Sequence, residues 1–527
     1  MYSEVDNPLH WVLPAVLAEQ AERRGDHPFV AMIGGETLTY AAMHREAGQV
    51  AGMLARLGIG AGDHVALMLS NSLDFLRAWF GVTRLGAVAV LLNTELTGAF
   101  LAHPINDSAP RALIIDPIFY PRLDDIRATL HPIAHILVTD AARSEGFGGW
   151  REAPAYSGPM PGASDIACIM YTSGTTGAPK GVLMPHAHCF LFGYGTVDNL
   201  AVTADDHYYI CLPLSHANGL LMQLGAVLIA GISATIRDRF SASAWIDDVC
   251  SSGATLTNTL GAINAFIVAQ PKTDRDRDHR LRALLASPNH PDHERVWRER
   301  YAIADVVSGF GMTEVNIPLY GAPGDPRPGA CGKPYARFFE VAIRDPETGR
   351  EMAVDETGEI CIRPKAPNGF MAGYHGLPEK TVEAWRDLWF HTGDAGRTDA
   401  DGYVYFIDRI KDCIRRRGEN ISATDIEMSF ADIPGIDEIA AYPVPSEIPG
   451  GEDEIMLAIV CHPGASVSPA EIVAHAGRRM PRYAQPRYVD FVTSLPKTST
   501  EKVRKADLRK AGVTPATVDL AALQDTI

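Results

Sequence analysis

The run Tyr171-Thr-Ser-Gly-Thr-Thr-Gly-Ala-Pro-Lys-Gly181 gathers glycines, hydroxyl side chains and one lysine into eleven positions. Gly174, Gly177 and Gly181 let the main chain approach an anion closely and take positive φ where needed. Thr172, Ser173, Thr175 and Thr176 add hydroxyl donors, and Lys180 adds a compact positive charge. Successive backbone N–H groups in such a loop form an anion-binding nest, so the chemistry suggested is the cradling of a nucleotide triphosphate. The spacing of Gly174 and Lys180 does not fit the G-x-x-x-x-G-K-[ST] loop. A flexible surface turn is the plainer alternative, but turns seldom carry so many donors beside one lysine.

Local groups of this kind are needed because the chain is acidic overall, with a formal charge of −17. That balance excludes non-specific nucleic-acid binding, which relies on excess Lys and Arg, and favours solubility. At 527 residues the chain exceeds one typical core, and its 46% hydrophobic and 21% charged content is that of a globular protein. Cys168, Cys189, Cys211, Cys250, Cys331, Cys361, Cys413 and Cys461 are scattered without a C-x-x-C pair, as free thiols in a reducing compartment would be. The start, Met1-Tyr-Ser-Glu-Val-Asp-Asn-Pro8, lacks the basic and apolar regions of a signal peptide, so a cytoplasmic location is expected. The longest apolar run, Gly219 to Ala234, is interrupted by Gln223, Gly225 and Gly231 and is too short to span a bilayer. His186 and His188 have no carboxylate or Cys near them in sequence and read as loop residues rather than metal ligands.

The elements that must position the loop alternate between strand and helix. Gly34-Gly35 marks a hairpin between Phe29–Ile33 and Glu36–Tyr40, and a helical pattern follows from Ala41 to about Leu57. Strands are expected at His64–Leu69, Ala87–Leu92, Arg111–Asp116 and His135–Thr139, with a helix over Leu73–Leu85. The rhythm recurs after the loop, as at Tyr208–Leu212. It implies two α/β layers with largely parallel, covered sheets. From about 320 to 408 the strands are short and separated by turns such as Pro346–Gly349, Asp355–Gly358 and Asp399–Gly402, a small antiparallel region. The fold class is therefore α/β: a large body over 1–408, then a small mobile α+β domain over 409–527.

Further motifs follow the loop in order: Leu212-Pro-Leu-Ser-His-Ala-Asn-Gly219, Ser308-Gly-Phe-Gly-Met-Thr-Glu314, Trp389-Phe-His-Thr-Gly-Asp394, Asp408-Arg-Ile-Lys-Asp412, Arg417-Gly-Glu-Asn-Ile421 and Leu495-Pro-Lys-Thr-Ser-Thr-Glu-Lys-Val503. The ordered set covers nearly the whole chain. It resembles the adenylate-forming superfamily of acyl-CoA synthetases, peptide-synthesis adenylation domains and luciferase, and within it the crotonobetaine/carnitine-CoA-ligase-like enzymes. The resemblance implies that a carboxylate attacks the α-phosphate of ATP to give acyl-AMP and pyrophosphate, and that the thiol of coenzyme A then takes the acyl group. Such chemistry calls for cations, oriented N–H donors and Mg²⁺ at the phosphates.

The same resemblance assigns roles. Thr172, Ser173, Gly174, Thr175, Thr176, Gly177 and Lys180 would hold the phosphates, and Gly309, Phe310, Gly311, Met312 and Thr313 the adenine and α-phosphate. Glu314 would bind Mg²⁺, Asp394 both ribose hydroxyls, and Arg409 ribose or phosphate. Lys502 would be the catalytic lysine, Lys411 the hinge, and Arg417 and Gly418 part of the coenzyme A tunnel. Taken singly, Phe310 reads equally as a core aromatic, Asp394 as a turn acid and Arg409 as a surface arginine. Lys502 also belongs to a basic run with Lys497, Arg504 and Lys505 that suits a solvated face, and Arg415, Arg416 and Arg417 read equally as surface charge or as phosphate partners.

His216, Asn218, Gly309 and Asn316 would face the acid, with Thr259–Ile263 and Pro318 nearby; a capping or core histidine is the alternative for His216. No acid stands after His216 where amino-acid-activating relatives bind an ammonium, so a hydrophobic or modestly polar non-amino acid is expected. Two departures stand out: Glu501 precedes Lys502 where glycine is usual, and Leu285-Ala-Ser-Pro-Asn289 replaces a glycine/alanine-rich loop. An acyl-AMP ligase that loads a carrier-protein thiol is the alternative activity, an ATP-binding pseudoenzyme a further one, and a homodimer the family-level expectation for assembly.

Overall fold

Along the strand His64–Met68, Val65 and Leu67 face one side and Ala66 and Met68 the other, and all four are fully buried. A strand with no polar side needs cover on both faces. The computed structural model describes residues 1–139, 146–172, 179–287, 289–410, 414–416, 419–421, 423–446, 453–480, 484–498 and 502–524. It meets that need with two seven-stranded sheets and helices between and outside them.

One sheet runs His135–Val138, Ala112–Ile115, His64–Met68, Val88–Leu91, Ile166–Thr172, Lys180–Pro185 and Gly373–Tyr374, with parallel pairing throughout except at the last two pairs, where Lys180–Pro185 runs against both neighbours. The other runs Asp305–Val307, Ala283–Ser287, Leu256–Leu260, His207–Ile210, Ser233–Ile236, Pro28–Met32 and Thr37–Thr39, antiparallel only at the final pair. The helices Tyr40–Arg56, Leu73–Arg84 and His186–Asn199 share one apolar core with the inner faces of both sheets, through residues such as Val50, Trp79, Phe190, Leu67 and Ile210. Their starts are local: Thr39 accepts from the Ala42 N–H, and Ser72 from the Phe75 N–H.

The expected hairpin, helices and parallel strands are present to within a few residues at their ends. The expectation for His186 and His188 is corrected. Both stand on the first turn of the helix His186–Asn199 and are fully buried. Two residues of local sequence did not reveal that this helix is apolar on all sides.

Between 309 and 409 the chain is antiparallel. A hairpin of Gly309–Met312 and Asn316–Tyr320 is followed by a five-stranded sheet of Phe339–Arg344, Gly358–Pro364, Trp385–Arg386, Trp389–Thr398 and Val404–Arg409. Beyond it a separate four-stranded sheet orders Ile436–Val444, Glu454–Cys461, Tyr488–Phe491 and Val518–Asp519. The helices Ala423–Phe430 and Pro469–Arg479 cover one face through Ile426, Phe430 and Ile472 against Leu457 and Ile459. Tyr442, Met456 and Leu495 pack on the other face. Each C-terminal apolar cluster draws only on residues after 413, so this part has its own core. Among the described residues no helix is long and apolar enough to cross a membrane, and the described cysteines are free thiols. Cys413 lies outside the described residues.

One close approach sets the position of later elements. Gly193, in the helix His186–Asn199, crosses Gly225 so tightly that a Cβ on it would lie 2.6 Å from the Gly225 carbonyl carbon. Gly225 directly follows the π-helical turn Asn218–Leu224. Gly193→Ala should force the pair apart and cost about 1–3 kcal/mol, read as a lower urea midpoint. An unchanged midpoint would show that the crossing relaxes freely.

Candidate active site

The hairpin Gly309–Met312/Asn316–Tyr320 is tight because Gly311 has no side chain: a Cβ there would meet the Asn316 carbonyl oxygen and Ile317 Cδ1, each at 2.3 Å. Asn316 takes φ of 71°, Met371 N–H donates to the Glu314 carbonyl, and Thr313 and Glu314 are thereby held at the tip. Glu314 is buried, and burial raises its carboxyl pKa above the ordinary range despite the opposing pull of Tyr374, Lys180 and Arg409. Tyr374 donates to Glu314 Oε1 at 3.0 Å, and Lys180 Nζ stands 4.0 Å from the centre of the Tyr374 ring. Lys180 opens a strand opposite Thr172, and Gly373–Tyr374 pairs with that strand along its other edge.

Asp394 enters from the antiparallel region. Its cross-strand partner is Arg409, whose Nε lies 2.8 Å from Oδ1. The pair is close but not aligned as a hydrogen bond, so Oδ1 keeps its acceptor capacity. Burial lifts the Asp394 pKa to about 6, Arg409 and Lys502 pull it down, and Glu314 and Asp408 push it up. Lys502 comes from the C-terminal sheet domain. Thr498 N–H donates to the Lys502 carbonyl at 2.8 Å, and Lys497 bridges to Val503, closing a small loop. Of the basic run, Lys497 pairs with Glu438, Lys505 with Glu427 and Arg504 with Asp507; Lys502 makes no ion pair among the described residues. Its side chain reaches solvent, yet the protein crowded around it and then Arg409 lower its pKa, with Asp394 opposing. Its charge also lowers the pKa of His216, after burial. Glu314, Asp394, Arg409, Lys180, Lys502 and His216 thus share one electrostatic neighbourhood, assembled from distant parts of the chain.

The remaining expected residues divide. Phe310 is half-buried, with its ring 6.3 Å from that of Phe406, and Gly309 and Met312 lie on the same strand. His216 and Asn218 are half-buried where the π-helical turn begins. Asn316 donates its amide to the His188 carbonyl at 3.0 Å and accepts from the Ile317 N–H, so both its polar ends are already engaged within the fold. His188 sits below, its ring nitrogens 2.9 and 2.8 Å from the Gly369 and Thr313 carbonyl oxygens, and burial lowers its pKa to about 4. Arg416 is turned inward, donating to the Gln485 carbonyl and pairing with Glu454, which corrects its reading as a surface or coenzyme A charge. Ser173, Gly174, Thr175, Thr176, Gly177, Lys411, Arg417, Gly418 and Glu501 lie outside the described residues.

Sequence reading missed Tyr374 and Glu359. Glu359 is buried, accepts from the Gly393 N–H at 2.9 Å and lies 2.6 Å from His391 Nδ1, so it anchors the turn just before Asp394. Glu359, Cys361 and His391 also bring three ligand-type atoms within 4.8 Å of one another. Arg386, 2.9 Å from His391 Nδ1 and 3.5 Å from Glu359 Oε2, already supplies the positive charge that a cation would bring. No local motif flagged Glu359, because its partner is a backbone N–H on the adjacent strand.

A model of the AMP-binding enzyme family matches residues 17–375, and one of the AMP-binding enzyme C-terminal domain matches residues 425–502. A crotonobetaine/carnitine–CoA ligase of Salmonella heidelberg is 30% identical over 483 residues, covering 89% of this chain and 93% of that protein. The anthranilate CoA ligase AuaEII, solved with anthranoyl-AMP, superposes with a TM-score of 0.85 at 27% identity, over 96% of this chain and 98% of that one. ATP-bound MatB from Rhodopseudomonas palustris gives a TM-score of 0.83 at 27% identity, over 94% of this chain and 98% of that one.

Glu359→Ala should leave the Gly393 N–H and the His391 imidazole without their carboxylate, costing about 1–3 kcal/mol for each buried group left unpaired. Chemical denaturation measures the loss, and wild-type stability in the variant would show that the turn before Asp394 does not depend on Glu359.

Proposed function

We infer the activity from one premise: the chain belongs to the AMP-binding enzyme family, and it is an AMP-forming acyl-CoA synthetase. We propose that its substrate is a hydrophobic or modestly polar carboxylic acid without an α-amino group. A carboxylate oxygen attacks the α-phosphorus of ATP, and the bond to the β-phosphate oxygen breaks to release pyrophosphate. The sulfur of coenzyme A then attacks the acyl carbon, the bond to the AMP oxygen breaks, and the thiol proton is released to solvent.

The observation that carries this reading is the position of Lys502. It is delivered by a domain with its own core, yet its charge is felt at Asp394 and His216 in the body. A cation so placed would meet the negative charge that grows as the carboxylate and the α-phosphate approach. Asp394 would accept from the ribose hydroxyls, Arg409 would reach ribose or phosphate, and Thr313 would touch the α-phosphate. Thr172, Lys180 and the loop between them would hold the departing pyrophosphate. Phe310 would face the adenine, with Gly309 leaving room beside the acid.

Glu314 suits Mg²⁺. It is a buried carboxylate whose side-chain hydrogen bond is to Tyr374, with no ion pair among the described residues, and it faces the lysine expected at the phosphates. A bound Mg²⁺ would neutralise charge on the phosphate oxygens. A body and a tail that divide near Arg409, the last residue of the body strand Val404–Arg409, are proposed to share this labour. Asp408, buried at the end of the body, accepts from the Thr424 N–H at the start of a tail helix, and the hinge is proposed to lie between them in sequence, at Lys411. Arg417 and Gly418 are proposed to meet coenzyme A once the tail rotates about that hinge. ATP–pyrophosphate exchange over a panel of carboxylic acids, followed by thioester formation with coenzyme A or with a holo-carrier protein, tests the reading and separates the two acceptors.

Lys502→Ala should reduce acyl-AMP formation by about 10²–10³ while sparing acyl transfer from supplied acyl-AMP. Pyrophosphate exchange within about threefold of wild type would refute the role. A second expectation concerns pH. Burial lifts the Asp394 carboxyl to about 6, and only the ionised carboxylate offers acceptors on both oxygens without a competing donor, so the KM for ATP should rise as pH falls through that value. Asp394→Asn should raise KM at neutral pH and flatten that dependence. A wild-type profile that stays flat between neutral and mildly acidic pH would exclude Asp394 as the ribose acceptor.

A further inference from the structure

Tyr208 and Asn258 stand on neighbouring parallel strands of the second sheet and are both fully buried. The Tyr208 hydroxyl donates to Asn258 Oδ1 at 2.8 Å, and Asn258 Nδ2 donates to Asn218 Oδ1 at 2.9 Å. The direction of this relay follows from elementary accounting. A buried hydroxyl proton must be donated, and among the described residues Asn258 Oδ1 is the acceptor that Tyr208 has. That turns the Asn258 amide nitrogen toward Asn218, and it leaves the Asn218 Nδ2 group as the outward end, with no partner among the described residues. Asn218 is half-buried, two residues from His216, which feels the charge of Lys502, and it opens a π-helical turn. The relay runs from Tyr208, the second residue of His207–Ile210, through Asn258, midway along Leu256–Leu260, to Asn218 in the segment that follows the carboxyl end of His207–Ile210, the side of a parallel sheet where ligands bind.

The geometry points to Asn218 as a specificity-determining donor for a second oxygen on the substrate acid: a ketone, hydroxyl or further carboxylate oxygen beyond the carboxylate that is activated. The inference rests on the acyl-CoA ligase reading and narrows it. Asn218 touches the substrate; Tyr208 and Asn258 are positioning residues that hold its amide in one orientation. A fixed donor favours an oxygen acceptor and disfavours both a hydrocarbon, which leaves the amide unpaired, and an ammonium, which presents another donor.

The test is pyrophosphate exchange with keto- and hydroxyalkanoates matched to their parent alkanoates, and hydroxybenzoates matched to benzoate. Wild-type protein should prefer at least one oxygenated acid over its parent by about tenfold or more in kcat/KM, the factor that one such contact of about 1.4 kcal/mol supplies. Asn218→Leu should bring that ratio to within about twofold of unity. Asn218→Asp, of the same shape but with an acceptor in place of the donor, should remove or reverse the preference. Tyr208→Phe never meets the substrate; by freeing Asn258 to flip it should cut the same ratio while KM for ATP is unmoved, a pattern that general loosening of the fold would not produce. Equal use of both members of every pair by the wild type, or a ratio that survives in Asn218→Leu and Asn218→Asp, overturns the relay while leaving the ligase reading intact. Absence of exchange with every acid overturns the ligase reading and this inference with it.

Discussion

Two buried carboxylates in one electrostatic neighbourhood are the constraint around which this protein is built. Glu314 and Asp394 are almost wholly withdrawn from water, and each is held above its ordinary pKa by that withdrawal. In a protein of net charge −17 the compensation has to be local. Arg409 acts on both carboxylates, Lys180 on Glu314 and Lys502 on Asp394. These cations come from a strand end in the body, the last strand before the tail and the tail itself. Desolvation makes each acid avid for positive charge, and that need is met by Lys180, Arg409 and Lys502 converging on one place. The acids therefore explain why so small a cluster needs so much chain.

Holding the acids in place is a task for the backbone. Gly311 lets two strands approach where any Cβ would collide with the Asn316 carbonyl, so the turn carrying Glu314 stays tight. Glu359 performs the matching task for Asp394 by accepting from the Gly393 N–H, where the chain has φ of 73°. Gly219 lies so close to the Pro213 and Leu212 carbonyls that no side chain fits, which fixes the segment bearing His216 and Asn218. Such contacts give reactive groups a defined geometry before a ligand arrives, and electrostatic stabilisation depends on that preorganisation.

The two halves of the molecule differ in how they are anchored. The body shares one core between its sheets, whereas the tail packs on itself and meets the body near Asp408 and Lys502. A domain that keeps its own core can be released and reseated without unfolding. The energetics thus suit the reorientation that the proposed two-step chemistry requires.

Much of this was legible in the chain itself. Strands such as His64–Met68 and Val88–Leu91 announce themselves because burial on both faces demands an unbroken apolar run. The glycine-rich run Tyr171–Gly181, Glu314, Asp394 and Lys502 sit in short motifs whose residue types and order point to acyl adenylation. Other features had no local signal. His186 and His188 read as loop residues because their burial comes from tertiary packing, for His188 against the distant carbonyls of Thr313 and Gly369. Arg416 looked like surface charge until Glu454 and the Gln485 carbonyl were brought beside it. Tyr374, Glu359 and the Tyr208–Asn258–Asn218 relay act through partners far away in sequence. Periodicity and motif order are properties of contiguous residues, so the sequence by itself determined fold class and reaction family. Hydrogen bonds across strands and the pKa of a buried acid depend on what folding places within a few ångströms, so only the tertiary structure decided how the site is tuned.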